Sequence, residues 1–166
     1  MDIKKVKTKL VKFIKETVNN AGFKKVILGL SGGVDSATVA HLSKGALGSG
    51  NVIAVLMPYK DVDPDSVRFA DQVTKKLRIK AYKIDISPMV DAYCKNFPYA
   101  DSVRRGNKMA RERMTILYDF SKNENALVIG CGNKTEILLG YCTLYGDTAC
   151  ALNPLATLYK TEVYKL

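Results

Sequence analysis

The strongest structural signal in the chain is the segment Val26-Ile27-Leu28-Gly29-Leu30-Ser31-Gly32-Gly33-Val34-Asp35-Ser36. Its first five residues form a short apolar run with β-branched side chains, which predicts a buried strand. The two consecutive glycines predict a tight turn, and the apolar residues that follow Ser36 predict a helix. A strand, a glycine-rich turn and a helix in this order are typical of an α/β fold whose turn binds an anion at the helix N-terminus.

The rest of the chain repeats this alternation of strands and helices. Further strands are predicted over 52–57, 79–84 and 126–129, and helices over 64–77 and 102–121. Alternation of this kind predicts an α/β fold with three layers, in which helices cover both faces of a mostly parallel sheet. The sequence has no linker or internal repeat, so residues 1–166 are predicted to form a single domain. Ligands are expected after the strands, at 31–36, 57–60, 85–88 and 130–136.

Composition restricts the class of protein. The chain has 166 residues, of which 47% are hydrophobic and 25% charged, and this excludes a disordered chain. No apolar run approaches the roughly 20 residues that a membrane helix needs. The N-terminus is charged and lacks the uninterrupted apolar region of a signal peptide. We therefore expect a cytoplasmic protein with no membrane partner.

The positive charge is concentrated in two segments. The net charge is +10, and residues 1–25 carry eight lysines against two acids, while residues 95–122 carry seven basic residues against three acids. Such patches favour a polyanionic partner, either nucleic acid or a phosphate-rich small molecule. For the first segment we prefer a solvated helix face, because its apolar residues recur at helical spacing, at Ile3, Val6, Leu10, Ile14 and Val18.

The cysteines do not form a recognisable metal motif. They lie at positions 94, 131, 142 and 150, without a CxxC pair, and His41 is the single histidine. Structural zinc sites need ligands at closer and more regular spacing. The sequence therefore predicts free thiols.

Asp35 lies inside the turn that is expected to bind phosphate. The backbone N–H groups of Gly32 and Gly33 and the hydroxyls of Ser31 and Ser36 suit an anion, although the turn lacks the lysine of a Walker A loop. A carboxylate beside phosphates has a role if it holds Mg²⁺, which prefers oxygen ligands and bridges to phosphate oxygens. The alternative is that Asp35 only complements the positive end of the helix dipole.

The turn and four downstream motifs carry a resemblance to a known family. Residues 30–36 resemble the pyrophosphate loop of the N-type ATP pyrophosphatases, and the segments 106–114, 130–136, 140–147 and 153–164 resemble those of ammonia-dependent NAD synthetases. The resemblance covers essentially all 166 residues. It implies an adenine nucleotide α-hydrolase-like, that is Rossmann-like, fold.

The resemblance implies a carbon–nitrogen ligase that converts deamido-NAD to NAD in two steps. ATP, as a co-substrate with Mg²⁺, adenylates the nicotinate carboxylate and releases pyrophosphate, and ammonia then displaces AMP. The resemblance also implies a homodimer that binds small molecules and no nucleic acid. Two alternatives stay open, a tRNA-modifying ATP pyrophosphatase and a non-catalytic nucleotide-binding module.

The resemblance also implies roles for individual residues. Those expected to bind ATP are Gly29, Leu30, Ser31, Gly32, Gly33, Val34, Asp35, Ser36, Cys131 and Lys160. Asp35 and Glu136 are expected to hold Mg²⁺, and Asp147 and Lys160 to be catalytic. The residues expected to bind deamido-NAD are Asn107, Arg111, Leu144 and Asp147.

Each of these residues also has a simpler explanation. Glu136 suits the first turn of a helix, and Asp147 suits a turn after a glycine. Asn107 and Arg111 suit a solvated helix face with a Lys108–Glu112 pair, and Lys160 suits an exposed helix position.

The chain departs from the family pattern in four respects. Many family members have Thr, Lys and Asp where this chain has Cys131, Leu144 and Ala151, so contacts at these three positions are expected to change. The family also continues beyond Leu166 into a segment with a mobile loop. We therefore expect the chain to end within a helix, to lack its C-terminal segment and to bind ATP with little or no turnover.

Overall fold

The computed structural model describes residues 1–60 and 64–166. The element order alternates helices with strands, as the sequence predicts. The elements are α1 (Ile3–Asn20), β1 (Lys25–Gly29), α2 (Val34–Leu47), β2 (Val52–Leu56), α3 (Pro64–Leu77), β3 (Lys80–Lys83), α4 (Ser87–Cys94), α5 (Ser102–Glu124), β4 (Ala126–Val128), α6 (Lys134–Leu139) and α7 (Lys160–Val163).

The four strands form one parallel sheet with the order β3-β2-β1-β4. Strands β2 and β3 lie on one side of β1, and β4 lies on its other side. The strand order therefore reverses between β1 and β4, and ligands of open α/β sheets bind at the carboxyl end of such a pair. This architecture confirms the predicted α/β fold.

Both faces of β1 are buried, which explains its continuous apolar run. Val26 and Leu28 pack toward α1, α2 and α3, whereas Ile27 packs toward α4 and α5. Helices therefore cover the sheet on both sides, and the residues that follow β1 and β4 meet at one edge of it.

Helix α1 confirms the solvated-face interpretation of the first basic segment. Leu10, Ile14 and Val18 are its buried residues, and Asp2 caps the helix by accepting a hydrogen bond from the Lys5 N–H group. Within residues 1–60 and 64–166, no helix is both long and apolar enough to cross a membrane.

Three elements differ from the predictions. The third strand is shorter than 79–84, although Ile84 still donates a backbone hydrogen bond to Leu56 at 2.9 Å. Helix α4 was not predicted, and α7 ends at Val163 and is followed by turn residues. Short helices such as these bury few residues, so their apolar periodicity is weak.

Candidate functional site

The turn between β1 and α2 can be built only with glycine at position 32. Gly32 has a φ angle of +86°, and a Cβ atom there would lie 2.1 Å from the carbonyl oxygen of Ser66, in the first turn of α3. Helix α2 then begins at Val34, and its N-cap residue, Gly33, has no side chain with which to cap the helix. The first N–H groups of a helix have no acceptor inside the helix, so this end suits an anion.

The two serines of the turn hydrogen-bond to each other and to the turn itself. The hydroxyl oxygens of Ser31 and Ser36 lie 3.1 Å apart, and the Ser36 hydroxyl donates to the Gly33 carbonyl at 3.1 Å. Leu30 points into the core, and its N–H group donates to the Val55 carbonyl. The backbone of Leu30, rather than its side chain, therefore contributes to the turn.

Two residues from distant parts of the chain converge on Asp35. Lys160 donates from its Nζ to Asp35 Oδ2, and Asn133 donates from its Nδ2 to Asp35 Oδ1 at 3.2 Å. The Lys160 backbone N–H group also donates to the Thr135 hydroxyl at 3.0 Å, which fixes the start of α7 against α6. Asp35 is therefore part of a site built by three helices.

Glu136 lies in the first turn of α6, where it forms a capping box with Asn133. The Glu136 carboxylate accepts from the Asn133 backbone N–H group at 3.0 Å, and the Asn133 side-chain oxygen accepts from the Glu136 N–H group at 3.1 Å. This is the simpler explanation that the sequence offered for Glu136. The same capping box nevertheless links Glu136 to Asp35, because Asn133 hydrogen-bonds to both residues.

The charges in this site change the protonation of its neighbours. Burial lowers the pKa of Lys160, but the hydrogen bond that Lys160 donates to Asp35 and the charges of Asp35 and Glu136 outweigh burial and hold that pKa above its ordinary value. Burial, followed by the charge of Asp35, raises the pKa of the Cys131 thiol to about 12. At neutral pH, Lys160 is therefore a cation and Cys131 an uncharged thiol.

A cleft of about 480 Å³ opens beside this cluster. It runs along the carboxyl ends of β1, β2 and β4, and Ser31, Cys131 and Asp147 contribute to its wall. Arg113 of α5 also lines it and donates from Nε to the Met57 carbonyl at 3.1 Å. Apart from these polar groups, the wall is mostly apolar, which suits the flat ring of a nucleotide base.

The residues predicted to bind deamido-NAD form a second cluster, between α5 and the loop 141–149. Asn107 accepts a hydrogen bond from the Thr143 hydroxyl at 2.8 Å, and Arg111 donates from Nε to the Leu144 carbonyl at 3.1 Å. Asp147 accepts from the Thr143 N–H group at 2.6 Å, as in a turn. The structure therefore brings all four predicted residues together, although Leu144 contributes a carbonyl and leaves its side chain exposed.

The structure confirms two further predictions about side chains and adds three residues to the site. The Lys108–Glu112 ion pair is present, with 2.5 Å between Nζ and Oε2. The four cysteines are free thiols, as predicted. Asn133, Thr143 and Arg113 were not predicted to contribute. The Asn-x-x-Glu spacing of 133–136 is a capping-box signal that could have identified Asn133.

Comparison with known proteins agrees with this geometry. A family model described as NAD synthase matches residues 6–166. The NH(3)-dependent NAD(+) synthetase of Fusobacterium nucleatum is 55% identical over the whole chain, which spans 64% of that protein's length. The NH3-dependent NAD synthetase structure from Campylobacter jejuni matches with a TM-score of 0.95 and 45% identity, over 99% of this chain and 72% of that one.

A further solved structure, the NMN synthetase from Francisella tularensis, matches with a TM-score of 0.94 and 32% identity, over 100% of this chain and 69% of that one. The same fold and a related sequence are thus found in a protein whose name refers to a different nucleotide. The family match nevertheless extends over almost the entire chain, and the chain belongs to the NAD synthase family.

Proposed function

We propose that this chain carries the site at which ATP adenylates deamido-NAD for amidation by ammonia, yielding NAD, AMP and pyrophosphate. The observation that supports the proposal is the convergence of Lys160 and Asn133 on Asp35, beside an uncapped helix N-terminus and a cleft that fits a base. A site that only anchored a helix would need neither the cation nor the cleft.

The donor set around Asp35 fits Mg²⁺. Asp35 and Glu136 offer carboxylate oxygens, and the residues that the structure describes add no third acidic, cysteine or histidine side chain to form a closed metal cluster. Mg²⁺ typically uses one or two carboxylates and completes its coordination with phosphate oxygens and water. When bound, it would neutralise charge that develops on the leaving pyrophosphate.

The groups of the turn would hold the phosphates of ATP. The segment between Gly29 and Ser36 presents the first N–H groups of α2 and the hydroxyls of Ser31 and Ser36, and Lys160 adds a positive charge. The Lys160 ammonium has three N–H donors, so it would donate to Asp35 and to a phosphate oxygen together. Cys131 lines the same cleft and stays a neutral thiol, so it would contact ATP as a weak donor rather than as an anion.

The second cluster would bind deamido-NAD. The Arg111 guanidinium and the Asn107 amide contact the loop whose residues Thr143 and Asp147 line the cleft. An Arg cation suits a dinucleotide phosphate, while the Asp147 carboxylate would orient ammonia and accept its surplus proton. We extend the proposal to a cytoplasmic homodimer formed by a single-domain chain, on the resemblance described above.

The chemistry needs two displacements. An oxygen of the nicotinate carboxylate attacks the α-phosphorus of ATP, the bond to the bridging oxygen breaks, and pyrophosphate leaves. Ammonia then attacks the acyl carbon, a proton goes to a base, and AMP leaves with the electron pair of the former acyl–oxygen bond. Activation is required because a free carboxylate is a poor acyl donor.

The first displacement can be tested by exchange of labelled pyrophosphate into ATP. We expect exchange that depends on deamido-NAD and on Mg²⁺, in the absence of ammonia, even where overall turnover to NAD is low, because exchange reports only the first step. Nicotinate mononucleotide is the matched control, because the Francisella tularensis neighbour is named for a mononucleotide product. Exchange without either nicotinate substrate would contradict the proposal. Exchange with nicotinate mononucleotide but not with deamido-NAD would show that the mononucleotide is the substrate.

A further inference from the structure

We propose that Asn133 is a positioning residue that holds the carboxylates of Asp35 and Glu136 at the spacing needed to share one divalent cation. This inference rests on the proposed function, because it assumes that these two carboxylates meet the metal. It assigns a role to a residue that is placed among neither the proposed metal ligands nor the proposed nucleotide ligands.

The structure shows how Asn133 uses its polar groups. It is completely buried. Its amide nitrogen donates to Asp35 Oδ1 on α2, its amide oxygen accepts from the Glu136 N–H group, and its backbone N–H group donates to Glu136 Oε2. Asn133 therefore touches both carboxylates, one through its side chain and one through its backbone.

An ordinary helix cap does not explain this arrangement. A cap needs only the contacts within α6, and serine would satisfy them about as well as asparagine. The additional contact reaches across 98 residues to a carboxylate on another helix. Since burying an amide is costly unless its groups are bonded, the bonding of both polar atoms of this side chain indicates a fixed geometry.

The arrangement is that of an outer-shell partner in a metal site. Such partners orient the carboxylates that meet the ion, and removing one typically weakens metal affinity by about 10- to 100-fold. Asp35 also accepts from the Lys160 ammonium, whose charge is proposed to be shared with phosphate. Asn133 is then the neutral contact that holds the other carboxylate oxygen of Asp35 in place.

Two substitutions separate positioning from capping. Asn133→Ser keeps the cap of α6 but cannot reach Asp35, whereas Asn133→Ala loses both functions. We expect both variants to bind Mn²⁺ about 10- to 100-fold more weakly in the presence of an ATP analogue that cannot be cleaved between its α and β phosphates. Only Asn133→Ala is expected to lose thermal stability through the cap. Asn51→Ser is the matched control, because the Asn51 side chain donates to the carbonyl of Leu47, four residues earlier in the chain.

The outcomes distinguish this inference from the proposed function. If the wild-type chain binds no Mn²⁺ in the presence of the analogue, the proposed metal site is wrong, and the role of Asn133 is then wrong as well. If the wild type binds and Asn133→Ser binds equally well, the positioning role alone is wrong. A double variant, Asp35→Asn with Asn133→Ser, should bind no worse than Asp35→Asn, because Asn133 is expected to act through Asp35.

A measurement on the wild type covers the case in which the variants do not fold. The side-chain amide signals of Asn133 can be followed by nuclear magnetic resonance in the ¹⁵N-labelled protein. We expect slow hydrogen exchange at Nδ2 before ligand is added, and a change in its chemical shift when Mg²⁺ and the ATP analogue are added together. An unchanged signal at saturating ligand would overturn the proposal.

Discussion

The two ends of the candidate site are built in different ways. At the end proposed to bind the phosphates of ATP (the phosphate end), Asp35 is held by the side chains of Asn133 and Lys160, and its own side chain is largely buried. At the end proposed to bind deamido-NAD (the nicotinate end), Arg111 and Asp147 contact the backbone of the loop 141–149, where Leu144 and Tyr145 are about two-thirds and three-quarters exposed, at 66% and 77%.

The difference indicates two modes of binding. Side-chain networks that bury their charges resist rearrangement and present a preformed site. Loops held by a few exposed backbone contacts open at little cost in free energy. We therefore expect ATP to meet a preformed site and deamido-NAD to order the loop as it binds.

The largest effect is expected at the phosphate end, from Asp35→Asn. The substitution keeps the size of the side chain but removes the charge that faces Lys160 and the proposed cation. We expect pyrophosphate exchange to fall by roughly a thousandfold, which corresponds to about 4 kcal/mol.

The control for Asp35→Asn is a measurement of whether the variant is folded. Circular dichroism and thermal unfolding should change little, because the asparagine still fills the site. If pyrophosphate exchange stays unchanged at limiting Mg²⁺, Asp35 is not a ligand of the metal.

The next largest effect concerns the turn itself. Gly32→Ala imposes a positive φ angle on alanine and places its Cβ against the Ser66 carbonyl. The backbone strain costs about 1–2 kcal/mol and the clash about 1–3 kcal/mol, so we expect a loss of stability and of ATP binding in calorimetry.

Gly22→Ala is the matched control for this substitution. Gly22 has a similar φ angle of +79°, but a Cβ atom there meets nothing within 4 Å. The control should lose only the strain contribution and should keep its affinity for ATP. Equal ATP affinity in the Gly32 variant and the wild type would contradict a preformed turn.

At the nicotinate end, Arg111→Ala should separate the two ligands. A charge-assisted contact contributes about 1.5–3 kcal/mol, so deamido-NAD affinity is expected to fall by roughly tenfold to a hundredfold. ATP affinity should hardly change, because Arg111 does not contact the turn. Arg104→Ala provides a control on the same helix, where the guanidinium lies 5.6 Å from the Phe97 ring. Equal losses of both ligands in calorimetry would count against this assignment.

The sequence predicted the fold far better than the contacts within the site. The run 26–36 carries its own signal, because a doubly buried strand must be apolar and a turn with positive φ needs glycine. Asp35 and Lys160 are 125 residues apart, and nothing in either local pattern indicates that they meet. The Leu144 carbonyl that receives Arg111 has no sequence signature, because every residue carries such an acceptor. Asn133 was missed because its local pattern is satisfied by a helix cap alone.

The smallest effect is expected far from both ends, at Glu124. This residue ends α5, and its carboxylate accepts hydrogen bonds from Lys80 at 2.6 Å and from the Tyr82 hydroxyl. Lys25 and Lys80 begin β1 and β3, so the cluster lies at the opposite edge of the sheet from the site. Glu124→Gln should therefore reduce stability without changing the affinity for either ligand.

The sign of the pH dependence follows from the same contacts. The hydrogen bonds from Lys80 and Tyr82 hold the pKa of Glu124 below its ordinary value, so the folded protein keeps this carboxylate ionised after the unfolded chain has taken up its proton. The contribution of Glu124 to the free energy of unfolding is present above the ordinary carboxyl pKa of about 4.3 and is lost as the pH falls through the lower pKa of the folded protein.

Because Lys80 is half exposed, we expect Glu124→Gln to cost only about 1 kcal/mol of stability at pH 7 and less at pH 3. Urea unfolding at the two pH values measures this difference. A loss of stability that is equal at both values would show that the charge of Glu124 does not contribute, and a changed ATP affinity would show that the two edges of the sheet are coupled.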